Sequence, residues 1–425
     1  MPRVTKKVSL AYGGRALPFS FNEDEFQLIG SESPRLPPLS DLEIGAAIDS
    51  PVASPSIQEI ISVGQSVLIV VSDATRATGS AQCVNLLIRR LIQIGIQPAD
   101  ISIIFATGIH RQVTTEEKLD LLTPFVVQRI ATMDHNAYDS ANLIEFGVTN
   151  RGTRVHLNRA LKEFDHVVIV GGIAYHYFAG FTGGRKSICP GLAAVQTVEA
   201  THIWAMDFDS GGRRSGVGTG LLEGNAVHEE CENIAGLINP SFTLNTIVDE
   251  RGRIVRLFSG HWREAHRVAC ADYHSHHSVE ISEKRDLVIA SCGGSPYDIN
   301  LIQAHKTLEM ASHACHAGGT IVLIAECRDG FGRPDFLKWF AEPDSHALER
   351  RLRNSYQVNG QTAWALLTKT ERFRIFLISE LDAEAVRQMR MIPSGSLAAA
   401  LAHIPSPTNG FIMTRGAASL PVVRH

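Results

Sequence analysis

The chain has no run of about 18 apolar residues, the length that a membrane-spanning helix needs. It has only 7 cysteines in 425 residues, and none forms a CxxC pair, so neither a disulfide framework nor a cysteine zinc site is expected. The formal net charge is -4, which excludes a broad basic surface for nucleic acid or anionic membranes. A small molecule is therefore the expected ligand.

The N-terminus is basic, but Ser9-Leu-Ala-Tyr-Gly-Gly follows instead of an apolar core, so no secretory signal is expected and the protein is predicted to be cytoplasmic. A content of 44% hydrophobic and 20% charged residues is typical of globular proteins, and the length suits two domains. We place an N-terminal α/β domain at residues 1–278 and a C-terminal α/β domain at residues 279–407. Residues from about 408 to 425 are expected to pack back onto the first domain.

Continuous β-branched segments predict strands that are buried on both faces of a parallel sheet. In the first domain they lie at residues 66–71, 101–105 and 165–170. The loops that follow them contain Asp73 with Arg76, His110 with Arg111, and His176 with Lys186. Ligands collect at the carboxyl edge of such sheets, so these side chains predict a polar pocket. The expected fold is two α/β domains with parallel-rich sheets and the active site in the cleft between them.

The segment GGIAYHYFAGFTGGRKSICPG, residues 171–191, contains the most reactive combination of side chains. Lys186 follows Gly183, Gly184 and Arg185, and Arg185 interrupts the spacing that a nucleotide-triphosphatase loop would need. A lysine in this setting serves either as a nucleophile or covalent anchor, or as a simple phosphate ligand. The residue types alone do not decide between these two roles.

Three other features have a structural interpretation beside a functional one. Gln303 and Lys306 share one helix face and could clasp a carboxylate, but their spacing alone favours an exposed surface. The run His274-Ser-His-His277 is predicted to be a solvated linker, because no cysteine or carboxylate completes a metal site at the usual spacing. His202 by itself indicates a helix histidine that packs beside Trp204.

The motifs occur in a recognisable order: DATR, ATGxHR, then HxxxGFTGGRKSxxPG, a histidine sixteen residues past that lysine, and later QAxK. This order resembles the nickel-dependent lactate racemase family over residues 73–306. The resemblance implies a nickel pincer nucleotide, a modified nicotinic-acid mononucleotide that is joined to Lys186 by a thioamide and holds nickel through sulfur, carbon and sulfur. It implies that His202 is the nickel ligand from the protein.

The same resemblance implies an activity and further site residues. The chain would be a racemase or epimerase of a 2-hydroxy acid such as lactate, with hydride transfer to the cofactor and a transient 2-keto acid. His110 and His176 would be the two acid/base residues, since mirror-related hydroxyl groups need a base at two positions. The cofactor side of the site would be shaped by Asp73, Gly183, Gly184 and Arg185. The substrate carboxylate would be oriented by Arg76, Gln303 and Lys306. Cofactor-making enzymes would be its partners.

Two alternatives remain from the residues themselves. Lys186 could form a Schiff base in a lyase. The chain could also be a non-catalytic nucleotide-binding or nickel-binding protein.

Overall fold

The computed structural model describes residues 5–30, 36–405 and 409–424. The strands within these ranges are β1 (Thr5–Tyr12), β2 (Arg15–Asn22), β3 (Phe26–Ile29), β4 (Val67–Ser72), β5 (Ile101–Ala106), β6 (Ala131–Asp134), β7 (Leu143–Val148), β8 (Arg154–Asn158), β9 (His166–Gly172), β10 (Tyr175–His176), β11 (Gly180–Phe181), β12 (Phe242–Val248), β13 (Ile254–Gly260), β14 (Ser278–Ile281), β15 (Arg285–Ser291), β16 (Cys315–Ile324), β17 (Arg374–Ile378), β18 (Ile392–Pro393), β19 (Gly410–Met413) and β20 (Leu420–Val423).

The α-helices in the same ranges are α1 (Asp41–Asp49), α2 (Ile57–Ile60), α3 (Ser80–Gln93), α4 (Thr115–Val127), α5 (Ala160–Glu163), α6 (Val195–His202), α7 (Ala226–Ile238), α8 (Glu264–His277), α9 (Leu301–Ala314), α10 (Ser345–Asn354), α11 (Val358–Arg372), α12 (Ala383–Gln388) and α13 (Leu397–Leu401). Short 3-10 helices occur at Pro98–Asp100, Gly184–Ser187, Ile203–Ala205, Phe336–Ala341 and Gly416–Ala418.

The chain divides into two compact units. Unit 1 contains residues 1–34, 208–212 and 275–425, and unit 2 contains residues 35–207 and 213–274. The N-terminal residues group with the C-terminal part, and not with residues up to 278, because β3 pairs with β19 in parallel. β19 pairs with β15 and β20 with β14, so both strands complete unit 1. Residues 408 and 425 of the C-terminal segment lie outside the described ranges.

The six-stranded sheet of unit 2 has the order β13-β12-β9-β4-β5-β6. Its neighbours are parallel except for β12 and β13, which form an antiparallel hairpin. The predicted strands are present as β4, β5 and β9. Helix α3 covers this sheet with Val84, Leu87, Ile88 and Leu91, all of which are fully buried. Burial of each such side chain contributes roughly 1.5 to 3 kcal/mol, so the apolar face of the helix holds it on the sheet.

The six-stranded sheet of unit 1 has the order β18-β17-β16-β15-β19-β3 and is parallel throughout. Leu10 and Phe21 of the β1–β2 hairpin pack into its core. The expectation of an α/β chain with parallel-rich sheets is thus confirmed.

Two further expectations concern the histidine run near residue 275 and the location of the protein. The prediction of a linker at His274–His277 is wrong, because these residues form the last turn of α8. No helix in the described ranges combines the length and the apolar content that crossing a membrane requires. The cytoplasmic location stays a prediction, and residues 1–4 of the basic N-terminus lie outside the described ranges.

Candidate active site

The carboxyl ends of three strands in unit 2 lie level with one another. Ser72, the last residue of β4, pairs with Ala106, the last residue of β5, and Val71 pairs with Val170 of β9. The loops that follow these strands therefore begin at one edge of the sheet, where parallel α/β sheets bind ligands.

His110 and Asp73 are in direct contact at this edge. Nδ1 of His110 lies 2.7 Å from Oδ2 of Asp73, and the second carboxylate oxygen accepts hydrogen bonds from the backbone and the hydroxyl of Thr75 at 3.1 and 2.5 Å. Burial raises the pKa of Asp73, but the hydrogen bonds from His110 and Thr75 outweigh it, so the pKa lies below its ordinary value. The ionised carboxylate accepts a hydrogen bond from Nδ1–H of His110, which keeps the proton on Nδ1 and leaves Nε2 as the basic nitrogen.

Asp73→Asn should lower kcat by roughly 10- to 100-fold, because an amide neither fixes the histidine tautomer nor stabilises an imidazolium. Racemisation rates of the cofactor-loaded protein test this, with Asp120→Asn on the exposed surface of α4 as the control. A wild-type kcat in Asp73→Asn would contradict the pairing.

His176 lies on a very short antiparallel hairpin formed by β10 and β11. Its Nδ1 accepts a hydrogen bond from the backbone N–H of Ala179 at 3.3 Å. The ring stacks on Tyr177 with a centroid distance of 5.5 Å and meets Phe178 edge-on at 4.5 Å. These contacts restrict the orientation of the His176 ring.

The glycines before Lys186 are required by the backbone. Gly183 and Gly184 have φ angles of +74° and +48°, a region that other residues rarely adopt. A Cβ on Gly184 would lie only 2.7 to 3.1 Å from side-chain atoms of His266, and the N–H of Gly184 donates to Oδ1 of Asn245 at 3.1 Å. The close approach of this loop to α8 and β12 is therefore possible only with glycine.

Arg185 is buried and stabilises the same loop through hydrogen bonds to backbone carbonyl oxygens. It is 1% exposed, and its guanidinium donates to the carbonyl oxygens of Ala179 at 2.8 Å, Thr182 at 3.3 Å and Gly183 at 3.4 Å. It also donates to Nε2 of His266 at 2.7 Å. Burial, together with the charge of Arg185, holds the pKa of His266 well below its usual value, so that ring is a neutral acceptor. A direct contact of Arg185 with a cofactor stays a prediction.

Lys186 is a buried amine. It is 8% exposed, its Nζ lies 5.4 Å from the centroid of Phe178, and no hydrogen-bond partner for Nζ occurs among the described residues. Burial lowers the pKa of Lys186 to about 8, and the charges of Arg185 and Arg76 act in the same direction. Such an amine loses its proton more readily than an ordinary lysine, which favours a nucleophile or covalent anchor over a phosphate ligand.

Lys186→Met should stabilise the protein that carries no cofactor. The pKa of about 8 in the folded state lies below the ordinary 10.5, so the unfolded chain binds more protons between these pH values and stability rises with pH there. Below pH 8 the full penalty is present, on the order of 3 kcal/mol. Denaturant unfolding at pH 7 and pH 10 should show a gain at pH 7 that shrinks at pH 10; an equal gain with the exposed control Lys162→Met would contradict it.

His202, at the end of α6, is buried and lies against the ring of Phe178. Its Nδ1 donates to the carbonyl oxygen of Val198 at 2.8 Å, and its ring centroid lies 5.0 Å from that of Phe178. Burial, with the charge of Lys186, lowers the pKa of His202 to about 3, so the ring is neutral. Nε2 keeps its lone pair, which is the form that binds a metal.

The predicted substrate residues belong to both units. Arg76 follows β4 in unit 2 and is exposed. Gln303 and Lys306 lie on α9 in unit 1, where Nζ of Lys306 donates to Oε1 of Gln303 at 2.7 Å. Lys306 is exposed, as its spacing suggests. A joint role of the three in carboxylate binding stays a prediction.

Sequence reasoning missed several residues that support the site. It placed Asp73 beside the cofactor and did not pair it with His110. It also overlooked Asn245 on β12 and His266 on α8, which hold the glycine loop. The helical spacing of His266, Cys270, Tyr273 and His274 is a signal that could have identified one face of α8.

The chain is similar to known proteins along most of its length. Residues 12–212 match the lactate racemase N-terminal domain, and residues 281–409 match the lactate racemase C-terminal domain. Lactate racemase from Thermoanaerobacterium thermosaccharolyticum is 29% identical over 95% of both chains. Lactate racemase from Lactiplantibacillus plantarum is 30% identical over 79% of this chain and 78% of its own.

Solved structures give the same result. The lactate racemase apoprotein from Thermoanaerobacterium thermosaccharolyticum superposes with a TM-score of 0.89 at 28% identity, over 99% of this chain and 100% of its own. A Thermotoga maritima protein shares the fold with a TM-score of 0.68 at 18% identity, over 91% of this chain and 99% of its own. The chain belongs to the lactate racemase family, a family of isomerases, and the resemblance indicated by its motifs is confirmed.

Proposed function

We propose that the chain racemises or epimerises a 2-hydroxy acid with a nickel pincer nucleotide attached to Lys186. The observation that carries this proposal is the arrangement around Phe178. The amine of Lys186, which is buried and has a lowered pKa, lies 5.4 Å from the centroid of this ring. The neutral ring of His202, with an available Nε2, packs against it at 5.0 Å. Relatives along most of the chain are lactate racemases, which supports the reaction class.

The residues fit such a cofactor. Among the described residues, no group of three His, Cys, Asp or Glu side chains could hold a metal ion by itself. A metal on His202 would therefore take its other ligands from an organic group, and an imidazole nitrogen is a suitable nickel ligand. When bound, the cofactor supplies a hydride acceptor. Lys186 anchors it, and Gly183 and Gly184 allow the backbone to approach it closely.

The protein residues move the proton. Nε2 of His110 takes the hydroxyl proton of one enantiomer, and the carboxylate of Asp73 stabilises the resulting imidazolium. His176 serves the hydroxyl of the mirror-related enantiomer from its hairpin. Arg76 binds the substrate carboxylate through charge-assisted hydrogen bonds. The planar 2-keto acid, held by its carboxylate, can then be reduced on either face.

A second candidate function, that of a lyase, is supported by the amine of Lys186. A pKa of about 8 on Lys186 also suits Schiff-base formation with a carbonyl substrate in a lyase. Borohydride trapping separates the two functions. A lyase gives a reduced substrate adduct on Lys186, whereas in the cofactor-loaded racemase Lys186 is already bonded through the thioamide and gives none.

The test uses protein produced together with the cofactor-making enzymes. Intact-protein mass spectrometry and nickel analysis should show one nucleotide-sized adduct on Lys186 with stoichiometric nickel. A panel of enantiopure 2-hydroxy acids should then include at least one substrate that racemises. Full loading without turnover of any acid would instead support a non-catalytic binding protein, and neither adduct nor nickel would refute the cofactor assignment.

A further inference from the structure

Helix α8 presents one face to the chain segment that contains the candidate active-site residues. His266, Cys270, Tyr273 and His274 are spaced four, three and one residues apart, which places them on one side of an α-helix. His266 contacts Arg185 in the lysine loop, as described above. About two helical turns after His266, Tyr273 and His274 contact a different part of the segment, the β10–β11 hairpin.

The contact consists of a hydrogen bond and a cluster of rings. The hydroxyl of Tyr175 and Nδ1 of His274 form a hydrogen bond of 3.1 Å. The ring of Tyr175 contacts those of Phe181 and Tyr273 at centroid distances of 5.3 and 5.0 Å, and these two rings lie 6.4 Å from each other. Tyr175 is 9% exposed, and burial lowers the pKa of His274, which favours its neutral ring. A buried phenol that makes a hydrogen bond has little freedom to rotate.

This cluster is continuous with His176. Tyr175 pairs with Phe181 and His176 pairs with Gly180, so the hairpin has only two residues in each strand. The base of the hairpin is closed by Thr182, whose hydroxyl accepts from the N–H of Ala174 at 2.8 Å. A hairpin this short is not stable by itself and needs external support to hold one conformation. Arg185 and Asn225 hold the connection between the two strands through the carbonyl oxygens of Ala179 and Phe178, and the Tyr175–His274 hydrogen bond supports the first strand, one residue away from His176.

We propose that His274 is a positioning residue: its hydrogen bond to Tyr175 fixes the β10–β11 hairpin and thereby aims the imidazole of His176. The proposal rests on the acid/base role proposed for His176. It gives the histidine at the end of α8 a function that is neither metal binding nor a solvated surface.

Tyr175→Phe is the sharpest variant, because it keeps the ring contacts and removes only the hydroxyl. In the cofactor-loaded protein, Tyr175→Phe and His274→Ala should each lower kcat by roughly 10-fold while KM, nickel content and the Lys186 adduct remain unchanged. The double variant should lose no more than either single variant, because all three remove the same hydrogen bond. Tyr138→Phe and His316→Ala, both at exposed positions, are the matched controls.

A second measurement does not depend on turnover. Side-chain ¹⁵N spectra of histidine, with the His176 signals assigned by His176→Gln, should show the same displacement of the His176 signals in Tyr175→Phe and His274→Ala, and none in Tyr138→Phe. Unchanged His176 signals, additive losses in the double variant, or a kcat that falls only in step with lost loading would each overturn the proposal. If the wild-type protein racemises no hydroxy acid, the proposed function fails, but the spectra still decide whether His274 positions His176.

Discussion

Lys186→Ala is expected to remove the covalent adduct completely and to lower racemisation by roughly 10³-fold or more. The reason is the buried position of the amine: it has no hydrogen-bond partner among the described residues, and burial lowers its pKa to about 8. An amine with these properties is suited to bond formation and poorly suited to permanent charge. Intact-protein mass spectrometry after production with the cofactor-making enzymes measures the adduct, and the exposed Lys162→Ala is the control.

Lys186→Arg separates the two roles that the residue types leave open. A guanidinium keeps a positive charge and remains protonated, so it preserves phosphate binding but cannot form the covalent link. We expect this variant to be as free of adduct as Lys186→Ala. Retention of a covalent adduct in either variant, at any other residue, would refute Lys186 as the anchor.

His110→Ala and His176→Ala are each expected to lower racemisation in both directions by roughly 10²- to 10⁴-fold. Interconversion requires a proton transfer at each of the two positions, so loss of one histidine stops the complete reaction. The hydroxyl of one enantiomer should nevertheless remain close to an intact base. His316→Ala, at an exposed position, controls for the general effect of removing a histidine.

Trapping of the 2-keto acid with phenylhydrazine makes this prediction stereospecific. His110→Ala should release trapped 2-keto acid from one enantiomer only, and His176→Ala from the other. The same enantiomer preference in both variants, or equal trapping from both enantiomers, would show that the two histidines do not act on opposite enantiomers of the substrate.

The sheets were predictable because their signal is local. Continuous β-branched segments predict β4, β5 and β9 close to their observed bounds. The membership of β3 was not predictable, because it depends on a parallel pairing with β19, nearly the whole chain away. Backbone hydrogen bonding between distant segments has no signature in either segment alone.

The supporting contacts of the site show the same limit. Asp73 and His110 were both placed at strand ends, but their 2.7 Å contact follows from the register of β4 with β5. His274 was interpreted as part of a linker, since nothing near it in the sequence indicates Tyr175 as its partner 99 residues earlier. Pairs of this kind depend on how a helix packs on a sheet, and one sequence does not specify that packing.

The sequence by itself determined the fold class, the family and the identity of the reactive side chains, because strand patterns and motif spacings are properties of short segments. The tertiary structure alone decided the chemical state of those side chains. Burial lowers the pKa of Lys186 and of His202, the Asp73 carboxylate selects the basic nitrogen of His110, and α8 supports the lysine loop and the hairpin of His176. Desolvation and hydrogen bonding require neighbours that only the folded chain brings together.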